Sequence, residues 1–142
     1  MRESRRGLES SVIVVSVVLL VALVPAQGQS TAAQAEISQA RSAAEADAGT
    51  AEGKKFGEAL AQAFGREQGS TIQRCAKETK RPDLSDFDLF LRLDETGVVD
   101  QAFEEPATAL ATCVRGKMSG WKVSTPPHAG FWVKVDVNLK PK

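Results

Sequence analysis

Two short stretches alternate between apolar and polar residues, and they limit the possible folds more than any other feature of the chain. In Phe87–Leu93, one face carries Phe87, Leu89, Leu91 and Leu93, and the other carries Asp88, Phe90 and Arg92. In residues 131–139, Phe131, Val133, Val135, Val137 and Leu139 share a face opposite Trp132, Lys134, Asp136 and Asn138. A period of two is the signature of a half-buried strand. Each segment therefore needs a sheet neighbour and an apolar layer on one side.

Residues 98–103 supply a neighbour. Asp94-Glu95-Thr96-Gly97 forms a turn with glycine where positive φ is needed, so residues 87–103 read as a hairpin, with Val99 and Phe103 facing one way. The apolar layer comes from helices. Phe56, Leu60 and Phe64 recur at intervals of four, with a break expected near residues 65–70. Ser70 and Gln73 fit a capping box for a second helix over residues 71–80, which Pro82 ends. Pro106 suits the first turn of a third helix, whose stripe is Leu110, Val114, Met118 and Trp121, with Cys113 beside it and Gly120 as its stop. The order α(α)ββαβ predicts an α+β domain. Its three-stranded, mainly antiparallel sheet carries helices packed on one face, and the last strand lies beside the first.

The N-terminus reads as an export signal. Arg2, Arg5 and Arg6 precede a 14-residue apolar run at 11–24, then Pro25 and Ala26. The run is shorter than the roughly 20 residues of a spanning helix, so cleavage after Ala26 is expected, with an uncleaved anchor as the alternative. Residues 27–53, rich in Ala, Gln and Ser, read as a tether, disordered or a fraying helix around 32–48. Residues 54–142 form the domain. Loss of residues 1–26 leaves 15 basic and 16 acidic side chains, which excludes a basic nucleic-acid surface. Any membrane contact would run through the signal segment if it is kept.

Export also decides the reading of Cys75 and Cys113. In an oxidising compartment such a pair forms a disulfide joining two helical stripes, with two buried free thiols as the alternative.

The sequence FDLFLRLDETGVVD, followed by ALATCVRGKMSGWKVSTPP and FWVKVDVNLK, resembles the TonB C-terminal-like domain family over about 55 residues. The resemblance rests on the strand ending at Asp94 and the turn glycine Gly97. It continues through the helix running to Trp121 before Pro126-Pro127, and the final strand. It implies the fold and a mode of binding in the cell envelope or periplasm. It does not imply energy transduction, because the apolar run has no histidine, only six prolines are present and tyrosine is absent.

Residues for catalysis are scattered. His128 is the only histidine and lies in a connector. Glu104 and Glu105 are strand neighbours that point to opposite sides. Asp83, Asp86 and Asp88 lack the glycine and distal glutamate of a calcium loop. No catalytic residue, metal or cofactor is expected. The outward face holds Phe90 and Trp132 flanked by Arg92 and Lys134, which reads as a protein-binding aromatic patch, or alternatively as a cross-strand pair covered by the N-terminal helix. Residues 98–103 at the sheet margin offer strand addition, with Asp100 as a guard. The expected function is non-enzymatic binding or scaffolding with an unknown envelope protein or a second copy; a small enzyme or enzyme inhibitor is the alternative.

Overall fold

A computed structural model describes residues 28–140, so the export signal expected at 1–26 lies outside the described residues. Four helices and three strands follow in the order α1 (Gly28–Ala48), α2 (Ala51–Glu67), α3 (Gly69–Glu78), β1 (Phe87–Leu93), β2 (Val99–Glu105), α4 (Ala109–Met118) and β3 (Phe131–Val137). The sheet is antiparallel throughout, in the order β2-β1-β3. The α+β class and the central place of the first strand follow the sequence expectation.

The turn between β1 and β2 is built by Asp94, whose Oδ1 accepts from the Thr96 amide at 2.8 Å and the Val98 amide at 3.0 Å. These hydrogen bonds, that from the Val98 amide foremost, hold the Asp94 carboxyl below the usual carboxylate range. Gly97 adopts φ +85°, and a Cβ there would collide with the carbonyls of Val123 and Ser124. Beyond the turn the register shifts between Arg92 and Leu93, which pair with Gln101 and Val99. The extra residue, Asp100, is a bulge that inverts the alternation. Val99 consequently joins the main core while Phe103 lies on the other face, not on the shared face that strict alternation predicts.

The main core lies between the sheet and α2–α4. Leu89, Leu91 and Leu93 meet Leu60, Leu110, Val114 and Met118, with Phe64 closing one side. Helix boundaries differ from the sequence expectation for local reasons. The break between α2 and α3 falls at Gln68, so Ser70 lies inside α3 and caps nothing. Pro106 precedes α4, which starts instead where the Thr108 hydroxyl accepts from the Ala111 amide at 3.1 Å. The helix ends at Met118, and Trp121 reaches the core from the following loop. Its ring meets Phe64 edge-on, and its Nε1 donates to Glu67 at 2.9 Å.

The largest departure concerns residues 28–48. They form α1, packed across the sheet face opposite α2–α4, so helices cover both faces where one was expected. The contact is made by Ile37, Ala40 and Ala44, and one large side chain beside two alanines does not stand out as an apolar stripe. Among the described residues no helix is long and apolar enough to cross a membrane.

Cys75 of α3 and Cys113 of α4 form a disulfide with Cα atoms 5.8 Å apart, closing a 38-residue separation. In the chain-entropy model a loop of this length is worth about 4 kcal/mol. The Cys75→Ala/Cys113→Ala variant should melt on the order of 15 °C lower by circular dichroism. An unchanged melting temperature would mean that the helix layer holds without its staple.

Candidate functional site

Helices α1 and α2 meet at Gly49 and Thr50, with α1 on one sheet face and α2 on the other. The pair therefore straddles β3, one of the two outer strands. Thr50 starts α2 by accepting from the Gly53 amide at 2.9 Å. A Cβ at Gly53 would collide with the Asp47 carbonyl, so the glycine permits the tight corner.

Asp47 fastens this corner to β3. Its Oδ2 accepts from the Trp132 amide at 2.7 Å, and its Oδ1 lies 2.8 Å from His128 Nε2. The other ring nitrogen, Nδ1, lies 2.9 Å from the Ala129 carbonyl. Both partners are acceptors, so the ring satisfies the two at once only in its protonated form. The Ala129 carbonyl, then Asp47, raise the His128 pKa above the ordinary imidazole value. Sequence reading places His128 alone in a connector; its partner, 81 residues away, is visible only in three dimensions.

Inside the corner lies a half-open cleft of about 310 Å³. Ala44 and Ala48 form one wall, Gly53, Gly57 and Ala61 the other, and Phe90 and Phe131–Val133 line its floor. Small side chains on facing helices leave the space, and aromatic rings make it apolar. Gly57 is central: a Cβ there would come only within 3.7 Å of Val133, in ordinary contact.

Of the two sequence readings for Phe90 and Trp132, the structure has the alternative, cover by the N-terminal helix α1, and not an exposed patch. Phe90 is fully buried beneath Ala40 and Ala44, with the Arg41 guanidinium 5.8 Å over its ring. Trp132 is partly buried and stacks on Phe103 at 6.0 Å and 10°. Arg92 pairs with Asp100 at 2.8 Å, which raises its pKa further. Lys134 lies between Asp136 at 2.7 Å and Asp88 at 3.1 Å. The hydrogen bond to Asp136, more than that to Asp88, raises the Lys134 pKa; Lys134 in turn lowers that of Asp136. The covering helix explains the correction, and its second anchor is the ion pair between Arg41 and Glu105.

Comparison with protein-family models, curated proteins and solved structures finds no match to the chain.

The remaining acidic residues act separately. Glu104 turns toward α4, accepting from Thr112 and Arg115 at 2.9 Å each, while Glu105 turns toward α1. Asp83 is engaged with Ser85, Asp86 with the Leu139 amide and Asp88 with Lys134. No group of three potential metal ligands occurs among the described residues.

The expected margin strand is an edge, as β2, but its start is occupied. The Val99 amide donates to the Trp121 carbonyl, and the Gly120 amide donates to the Val99 carbonyl. On β3 the Trp132 amide points away from β1 toward Asp47. Ladder alternation directs the Lys134 and Asp136 amides outward as well. Between the Asp47 anchor and the Asp86 bond to Leu139, those two amides form an open stretch of edge.

Two measurements check this geometry. Phe90→Ala should lower stability by about 3–5 kcal/mol in urea unfolding, the cost of emptying a buried aromatic site; a loss below 1 kcal/mol would place Phe90 at the surface. The His128 link stabilises the fold fully below the unfolded-state imidazole pKa and is lost as pH rises through the higher folded-state value. Asp47→Asn should move the NMR titration midpoint of His128 part-way down, because the Ala129 carbonyl remains. An unmoved midpoint would refute the Asp47 contact.

Proposed function

We propose that this chain is an exported, non-enzymatic binding or scaffold domain of the cell envelope or periplasm, which engages a protein partner by strand addition to β3. The supporting observation is the outward-facing amide pair of Lys134 and Asp136 on an edge strand. Both faces of the sheet are already covered by helices, and the β2 edge is partly capped. An extended segment laid against β3 would gain main-chain hydrogen bonds without disturbing the core.

The TonB C-terminal-like resemblance over residues 87–139 supports the same reading, since its strand-turn-strand-helix-strand order is that of β1, β2, α4 and β3. The non-enzymatic reading is supported by His128, whose two ring nitrogens are both taken up in structural contacts with Asp47 and the Ala129 carbonyl. The free edge can equally receive a second copy of the chain, a homodimer formed by the same contact.

Asp136→Pro removes one outward amide while leaving the β1 ladder in place. The wild-type protein should capture an envelope protein from extract or self-associate by light scattering, and the variant should lose that association at unchanged circular dichroism. A partner retained by the folded variant would place binding away from the β3 edge.

A further inference from the structure

We infer that β3 pairs with β3 of a second copy of this chain, antiparallel and with the two-fold axis at Val135. The inference rests on the strand-addition reading and names its partner. A closed pair of identical edges must be antiparallel, because only then does a two-fold axis relate the two strands. Two independent observations fix the register.

The first is the extent of the open edge. At one end the Trp132 amide is already taken by Asp47 at 2.7 Å. At the other, β3 ends at Val137, and the Leu139 amide turns back to Asp86. Residues 133–137 are left, and their midpoint is Val135. With the axis there, Val133 of one copy lies opposite Val137 of the other, so the arriving strand stops one position short of the Asp47 anchor. The helices flanking that end carry the small residues Ala44, Ala48, Gly53 and Gly57, which leave a half-open cleft beside residues 131–134 and not a wall. Lys134 of each copy then faces Asp136 of the other. These are the residues whose main chain points outward, so each pair exchanges both hydrogen bonds of an antiparallel rung.

The second observation is charge. Lys134 and Asp136 lie on the same face of β3, and both side chains are exposed. Unlike charges directly opposite each other stabilise a pair of strands, and like charges destabilise it. With the axis at Val135, each outward pair sets an ammonium against a carboxylate. An axis at Lys134 would oppose two ammonium groups, and an axis at Asp136 two carboxylates. Charge and edge length thus select the same residue as the centre.

The test is charge reversal read by sedimentation equilibrium. The wild-type chain should approach the mass of a dimer as its concentration rises. Lys134→Asp alone and Asp136→Lys alone each set like charges opposite each other, and each should raise the dimer dissociation constant at least about tenfold. Mixed in equal amounts, the two variants should regain dimer mass, because each reversal then meets its complement. The double variant Lys134→Asp/Asp136→Lys should pair with itself as the wild type does, and circular dichroism should be unchanged throughout. A mixture no more associated than its separate components would overturn the register. A monomeric wild type that still captures an envelope protein, with the capture lost in Asp136→Pro, would overturn self-pairing and leave strand addition standing. A dimer that survives Asp136→Pro in a folded variant would overturn both.

Discussion

The central strand β1 is buried on both sides, and the rest of the molecule is arranged to meet that requirement. Leu89, Phe90 and Leu91 are all fully inaccessible, although neighbouring side chains on a strand point to opposite faces. One face needs the layer made by α2, α3 and α4. The other, carrying Phe90 with Phe103 and Trp132, needs α1. Without α1 an aromatic surface would face water, and apolar burial is the main favourable term in folding.

The two covers are built differently. On the main face, leucines, valines and aromatics interlock, and a covalent bridge ties α3 to α4. On the second face, alanines lie against rings, and the polar anchors Arg41 and Asp47 fix the position. Short side chains let the helix approach the sheet closely. The same choice leaves room at the corner, where Ala44 and Ala48 stand opposite Gly53, Gly57 and Ala61 and the cleft lies between them. Cover and cavity are thus two results of one composition.

Much of the fold was legible in the sequence because its signals are local. Alternation in residues 87–93 and 131–139 pointed to the strands, the last of which ends at Val137, Asp94 and Gly97 to the turn, and the spacing of Leu110, Val114 and Met118 to the helix between them, which stops short of Trp121. Reading failed where a decisive partner was distant. Phe90 occupies a polar-face position in a strand, and that single mismatch was the available sign of two-sided burial. For residues 27–53 the tether reading stood beside the covering-helix alternative, because Ala40 and Ala44 count little in any hydrophobic pattern. Asp47 and His128 could not be associated without the three-dimensional corner. The bulge at Asp100 escaped because an inserted residue leaves the chain's alternation intact while changing which face it serves.

The glycine at position 53 sets the angle between α1 and α2 by allowing backbone to touch backbone, so the aperture of the cleft is governed from its apex and not from its walls. A side chain at that apex would have to wedge the two helices apart, so a single backbone position decides how closely they grip the two faces of β3.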